Sequence, residues 1–140
     1  HLMPNFALPR LIFAGADIMI FPSRFEPCGL VQMECMRYGA VPIVRAVGGL
    51  ADTVKDFDPV EDTGYGFVFK DFDAWQFFAQ MVRALEVYKI KDVWRSLVKR
   101  CLEQDFSWEV SASRYAELYQ KAIRLRSQQL VGEGEIFPNS

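Results

Sequence analysis

The fold of this chain is decided by residues 18–30, which read IMIFPSRFEPCGL. The first four residues form an unbroken apolar run that Pro22 closes, which predicts a buried strand over residues 17–22. A helix is predicted over residues 29–38, ending at Gly39, because glycine is favoured just after the last helical residue. A strand, a loop and a helix in this order indicate the first part of a β-α-β unit, with the loop at the carboxyl end of the strand.

Two acids flank this loop with a spacing of eight residues. Glu26 is expected in the loop, and Glu34 two turns into the helix, pointing back at the crevice where open α/β sheets bind ligands. The N–H groups of Gly29 and Leu30 would face the same crevice, where a helix N-terminus attracts phosphate. Carboxylates for hydroxyls and amides for phosphate together suit a phosphorylated sugar.

The rest of the chain continues the same alternation of strands and helices. The further elements predicted are a helix over 8–16, a strand over 41–46 with Pro42 at its start, a short helix over 50–56, a strand over 66–69, and helices over 73–88, 91–104 and 108–129. The pattern indicates an α/β fold with a parallel sheet of Rossmann-like β-α-β units. We expect one domain over residues 1–130, incomplete at its N-terminal side, and a flexible tail over 131–140.

Composition and charge exclude several classes of function. The net charge is −2 with no basic block, which argues against a nucleic-acid partner. The apolar runs are too short to span a bilayer. The only histidine is His1, so neither a Ser-His-Asp triad nor a His-rich metal site is expected. The three cysteines form no C-x-x-C pair, which favours a reduced, intracellular protein.

Three segments in this order resemble bacterial glycogen synthases and plant starch synthases: SRFEPCGL at 23–30, RYGAVPIVR at 37–45 and GGLADTV at 48–54. The resemblance extends from about Leu8 to Tyr119 and is densest over residues 15–54. That family consists of retaining glucosyltransferases with two Rossmann-like domains and the active site between them. The resemblance therefore implies that this chain is part of the C-terminal, nucleotide-sugar-binding domain.

The resemblance also implies a reaction. Glucose would move from ADP-glucose or UDP-glucose to the non-reducing end of an α-1,4-glucan with retention of configuration. No metal or other cofactor is implied, and the enzyme would work in a bacterial cytoplasm or a plastid stroma. The acceptor glucan would bind through the other domain. The family's basic residues that neutralise the diphosphate also precede residue 1, so this chain alone is expected to be inactive.

Carried over residue by residue, the resemblance makes Glu26 the catalytic residue, which would hydrogen-bond the hydroxyls of the donor glucose. The amides of Gly29, Leu30 and Val31 would bind the diphosphate and sugar, and Glu34 the ribose. The full substrate-binding set that it implies is Arg24, Cys28, Gly29, Leu30, Val31, Glu34, Gly48 and Gly49. Many bacterial and plant members carry Tyr where this chain has Glu34, which leaves the choice between ADP and UDP open.

Each of these residues also has a purely structural interpretation. Glu26 could be an acid favoured by a helix dipole, and Arg24 could pair with a nearby acid. Gly48 and Gly49 could serve tight helix–strand packing. Cys28 is expected to pack as a small side chain, since no residue beside it in the sequence would activate its thiol as a nucleophile.

Two alternatives remain at the level of the whole chain. It could be another retaining nucleotide-sugar glycosyltransferase with the same pair of acids. It could instead be a non-catalytic module that binds a nucleotide sugar or forms oligomers. Since a half-sheet leaves one strand edge unpaired, a homodimer through that edge is also expected.

Overall fold

The computed structural model describes residues 8–135, with side chains up to residue 129. The helices and strands follow in the order α1 (Leu8–Gly15), β1 (Ile18–Phe21), α2 (Val31–Arg37), β2 (Val41–Arg45), α3 (Gly49–Thr53), β3 (Phe67–Phe69), α4 (Ala74–Lys89), α5 (Lys91–Leu102) and α6 (Trp108–Glu135). The three strands form one parallel sheet in the order β1-β2-β3. The predicted α/β fold is confirmed.

Strand β2 lies at the centre of the sheet. Its first four residues are buried, as expected for a strand that is covered on both faces. Pro42 is the second residue of the strand, paired with Met19 of β1, and not its first residue as predicted. The central position tolerates proline because β3 joins the ladder only at Ile43, so Pro42 has a strand partner on one side alone.

Strand β1 is only partly buried, so the prediction of a buried strand is wrong. Ile20 is 51% exposed, and the other three residues are half-buried. The cause is topological: β1 is an edge strand of the described sheet and has a partner only in β2. An apolar run by itself does not distinguish an edge strand from a central one.

Helix α2 begins two residues later than predicted. Gly29 has φ +69°, a left-handed conformation that cannot continue a right-handed helix, and Leu30 is the N-cap. Glu34 therefore lies in the first turn of the helix and not two turns in. The helix ends as predicted, because Gly39 has φ +84° and its N–H donates to the carbonyl of Met36.

Helix α4 has the N-cap that the sequence predicted. The Asp73 carboxylate accepts hydrogen bonds from the N–H groups of Trp75 (3.0 Å) and Gln76 (2.9 Å). The reciprocal half of a capping box is absent: Gln76 Oε1 instead accepts from the N–H groups of Lys70 and Asp71. Its side chain thus fastens the turn between β3 and α4.

Helices α2, α4 and α5 pack against the sheet and close the core. The largest fully buried apolar side chains are Phe57, Phe67, Met36, Ile43, Leu50 and Leu97. Two cysteines are also fully buried here, and burial raises the pKa of both the Cys35 and the Cys101 thiol to about 12. They are therefore neutral packing groups.

The chain forms two compact units, divided between Gln104 and Asp105. The second contains α6, which continues to Glu135, so its helix covers the first five residues of the segment 131–140 that was predicted as a tail. The remainder of that segment lies outside the described residues. No helix within residues 8–135 is both long enough and apolar enough to cross a bilayer.

Candidate functional site

The three strands end at one rim of the sheet, and the loop after β1 lies there. Parallel strands carry their carboxyl ends to the same edge, where α/β proteins bind ligands. The loop covers residues 22–30 and holds Glu26, which is half-buried. No hydrogen bond or ion pair joins the Glu26 carboxylate to another described residue. Its oxygens are therefore free to accept from a ligand.

The glycine pair at the start of α3 lies directly against this loop. A Cβ added to Gly48 would overlap the carbonyl oxygen of Glu26, and one added to Gly49 would overlap the carbonyl of Cys28. Gly48 also has φ +47°, which L side chains rarely adopt. The tight packing that was one interpretation of this glycine pair is therefore present. The pair packs against the loop backbone and fixes the segment that carries Glu26.

Arg45, the last residue of β2, ties the ends of all three strands together. Its Nη1 donates to the carbonyls of Ser23 (3.3 Å) and Arg24 (3.0 Å) after β1. Its Nε donates to the carbonyl of Lys70 after β3, at 3.1 Å. The sequence reasoning missed this residue, although its position at the carboxyl end of the central strand was a usable signal.

A second residue missed by sequence reasoning is Gln32, in the first turn of α2. It shares the buried face of that helix with Cys35 and Met36, and a polar residue at this spacing was the available signal. Its Nε2 donates to the carbonyl of Gly29 (2.5 Å) and to Oγ1 of Thr53 (2.9 Å). Gln32 therefore links the loop after β1 with the last residue of α3.

Arg24 forms no ion pair within the described residues. Its guanidinium carbon lies 5.8 Å from the centre of the Phe72 ring, and that of Arg45 lies 5.6 Å from the same ring. Phe72 is therefore held by two cations at the rim. Pairing of Arg24 with a local acid, one of the two interpretations of this residue, does not occur here.

Cys28 is exposed, so the expectation that its side chain packs is wrong. The backbone carbonyl at Cys28, and not the thiol, makes the close contact with the glycine pair. The side chains of Leu30, Val31 and Glu34 are also exposed, and the Glu34 carboxylate has no hydrogen-bond partner among the described residues.

The structure thus brings the Glu26 loop, Gly29 and the Gly48–Gly49 pair together at the carboxyl rim, with Arg45 binding the loop. Glu34 lies one helical turn beyond Gly29. Within residues 8–135, no group of three or more His, Cys, Asp or Glu side chains is arranged to hold a metal ion. What the rim offers is free carboxylates and loop amides.

The sequence model of the family "Glycosyl transferases group 1" matches residues 3–96. The chain belongs to this family. The Glu26 loop, both glycine turns and all three strands of this group 1 glycosyl transferase fall inside the matched region.

Individual relatives of this glycosyl transferase narrow the resemblance. It is 45% identical over 125 residues to a glycogen synthase of Trichodesmium erythraeum, covering 89% of this chain and 27% of that protein. The catalytic domain of starch synthase IV from Arabidopsis thaliana, solved with ADP and acarbose bound, is 42% identical with a TM-score of 0.75. That match covers 88% of this chain and 26% of the solved one.

A more distant neighbour is a sucrose-phosphate synthase from Thermosynechococcus elongatus. It is 28% identical with a TM-score of 0.57, and the match covers 82% of this chain and 27% of that one. The matches to the Trichodesmium glycogen synthase and to starch synthase IV confirm the resemblance to glycogen and starch synthases, and the family model confirms that the chain is a glycosyltransferase. The chain spans about a quarter of the length of these relatives.

Proposed function

We propose that this chain carries the donor-binding region of a glycogen or starch synthase. The enzyme would transfer glucose from ADP-glucose or UDP-glucose to the non-reducing end of an α-1,4-glucan with retention. The supporting observation is the loop SRFEPCGL, which lies at the carboxyl rim of a parallel sheet in a chain with glycogen and starch synthase relatives. The ADP in the starch synthase structure favours an adenine nucleotide donor.

In this proposal Glu26 is the catalytic residue. Its carboxylate accepts hydrogen bonds from the hydroxyls of the donor glucose and holds the sugar as its bond to the diphosphate breaks. A carboxylate beside the sugar also stabilises the positive charge that develops on the ring in the transition state. This role is supported by the Glu26 carboxylate having no hydrogen-bond or ion-pair partner among the described residues, which leaves its acceptor capacity unused there.

Backbone amides bind the diphosphate. The N–H groups of Gly29, Leu30 and Val31 meet no acceptor in the described part of the chain, so they can donate to phosphate oxygens. Gly48 and Gly49 hold the loop in place, and the exposed Glu34 accepts from the ribose hydroxyls. No metal or other cofactor enters this scheme.

The chain alone is expected to be inactive. In the family, the acceptor glucan binds to another part of the enzyme, and the basic residues that neutralise the leaving diphosphate also lie outside the segment that this chain covers. Arg24 is the cation of this chain nearest to Glu26 in sequence, and it contributes positive charge at the rim.

The edge of β1 offers a surface for a homodimer. The enzyme would act in a bacterial cytoplasm or a plastid stroma.

Two observations favour a second candidate function. Glu34 stands where many glycogen and starch synthases carry Tyr, and a sucrose-phosphate synthase shares the fold. The chain would then serve another retaining nucleotide-sugar transferase, with a different donor or a non-glucan acceptor. A non-catalytic module that binds a nucleotide sugar is the remaining alternative.

A chimera tests the proposal directly. Residues 8–129 replace the matched segment of the Trichodesmium glycogen synthase, and transfer of labelled glucose to glycogen is measured with ADP-glucose and with UDP-glucose. The chimera is expected to be active, and Glu26→Ala should lower kcat by about 10²–10³-fold because transition-state stabilisation is lost. The anomeric proton signal of the new linkage reports retention.

Glu61→Ala is the matched control, since Glu61 is an exposed acid in the loop before β3. It should leave the rate unchanged. A folded Glu26→Ala chimera with full activity would remove Glu26 from the mechanism. An active chimera that prefers another donor or acceptor would favour the second candidate. A folded chimera that binds ADP-glucose without transfer would favour the non-catalytic module.

A further inference from the structure

A partly buried chain of hydrogen bonds joins the two glycine turns of the rim. Gln32 is 1% exposed, and its Nε2 donates to the Gly29 carbonyl and to Thr53 Oγ1. The Thr53 hydroxyl donates in turn to the carbonyl of Gly49, at 2.6 Å. We call Gln32 and Thr53 the amide bridge. It spans 21 residues of sequence and connects the loop after β1 to the turn after β2.

The bridge also fills the space beside Gly29. A Cβ added to Gly29 would lie 2.7 Å from Oε1 and 2.8 Å from Nε2 of Gln32. The amide therefore occupies the volume that a side chain at position 29 would need. The loop conformation and the orientation of Gln32 depend on each other.

Fold stability alone does not account for a glutamine at this position. Its Oε1 is buried and has no hydrogen-bond donor among the described residues. A buried acceptor without a donor lowers stability, whereas methionine, of similar length, would carry no such cost. What the amide contributes is its two donated hydrogen bonds, one to the Gly29 carbonyl of the loop and one to Thr53 Oγ1 of α3.

We propose that Gln32 and Thr53 are positioning residues that hold the Gly29 loop in the conformation that binds the donor's diphosphate. The inference rests on the proposed function. Gln32 is buried, so it acts through the Gly29 backbone rather than by touching the ligand. Thr53 acts from the opposite turn, through Gln32.

Substitutions at Thr53 separate this role from a packing role. Thr53→Val keeps the shape of the side chain and removes the hydroxyl, whereas Thr53→Ser keeps the hydroxyl. Thr63→Val is the matched control, because Thr63 is exposed and bonds to Asp58 through its backbone N–H and carbonyl rather than through its hydroxyl. Gln32→Met removes the bridge from the other side without a large change in volume.

The first measurement uses the ligand-free 140-residue chain. Backbone order parameters from NMR relaxation are compared at Cys28, Gly29 and Leu30. In Thr53→Val and Gln32→Met they should fall from the rigid value of about 0.85 to below about 0.6, while far-UV circular dichroism shows that the chain stays folded. Thr53→Ser and Thr63→Val should match the wild type. Unchanged order parameters in a folded Thr53→Val chain would overturn the inference.

The second measurement is titration with ADP of the glycogen synthase chimera defined above, with and without the same substitutions. Thr53→Val should weaken binding by about tenfold, because the loop must be ordered upon binding, and Thr53→Ser should restore the affinity. Equal affinities in the wild type and Thr53→Val would overturn this inference alone. A wild-type chimera that binds no ADP would instead overturn the proposed function, and the ligand-binding part of this inference with it.

Discussion

At the scale of single residues, the rim depends on positions where a side chain is excluded. Gly48 combines a left-handed backbone with contact to the loop that carries Glu26, so two separate constraints require glycine there. This close approach is what keeps a half-buried acid at the edge of the sheet. The sequence suggested a Gly-rich turn but could not say which backbone lies against it, since the contact joins segments about twenty residues apart.

Gly48→Ala should therefore destabilise the chain strongly. The left-handed conformation costs about 1–3 kcal/mol for a residue with a Cβ, and the overlap with the Glu26 carbonyl forces the loop to move as well. We expect a loss of at least about 2 kcal/mol in the free energy of unfolding, measured by urea denaturation.

Gly15→Ala is the matched control for this substitution. Gly15 is the last residue of α1, and a Cβ there meets no atom within 4 Å. The control should leave stability unchanged or raise it by up to about 1 kcal/mol. Equal effects of the two substitutions would mean that the glycine pair does not press on the Glu26 loop in solution.

The residues of the site show which features of it can be predicted from the sequence and which cannot. Glu26, Gly29 and Gly48 could be picked out because loop acids and glycines follow strands at the ligand-binding edge. Arg45 and Gln32 were missed because each forms a hydrogen bond to a distant segment, Arg45 to the Arg24 carbonyl and Gln32 to Thr53 Oγ1. Such bonds depend on how the elements pack, which residue type and spacing do not encode.

At the scale of elements, the sequence predicted a helix start with a local cap better than it predicted the burial of a strand. Helix α4 begins after the Asp73 cap, as expected, because capping is local chemistry within four residues. Strand β1 was expected to be buried and is half-exposed, because burial depends on how many strands flank it. The start of α2 shifted because Gly29 has a left-handed backbone conformation, which a glycine permits but does not require.

The α4 cap gives a prediction at this scale. Asp73→Ala leaves the N–H groups of Trp75 and Gln76 without their acceptor and should lower the free energy of unfolding by about 1 kcal/mol. Asp73→Asn keeps an acceptor oxygen and should be close to neutral. Urea denaturation followed by far-UV circular dichroism measures both, and similar losses would show that charge rather than capping stabilises the helix start.

At the scale of the whole molecule, the core of the first unit completely buries two thiol side chains. Cys35 and Cys101 are fully buried, and Cys101 donates to the carbonyl of Tyr65 at 3.0 Å. Burial raises both thiol pKa values to about 12 from an ordinary value of 9.0. The fold therefore keeps both groups protonated, while the unfolded chain lets them ionise at a lower pH.

This difference predicts how stability depends on pH. Between pH 9 and 12 the unfolded chain binds fewer protons than the native one, so the free energy of unfolding falls as pH rises. Below the unfolded pKa both states hold these protons and the thiols cause no slope. Each ionising thiol steepens the fall by up to about 1.4 kcal/mol per pH unit.

Urea denaturation from about pH 8 to pH 10.5 tests this dependence. The double variant Cys35→Ala/Cys101→Ala should be less stable at pH 8, because it leaves cavities, yet lose less stability than the wild type as pH rises. Cys28→Ala is the control, since Cys28 is exposed, and it should follow the wild-type slope. Parallel curves for the wild type and the double variant would show that the two thiols are not buried together in the folded core.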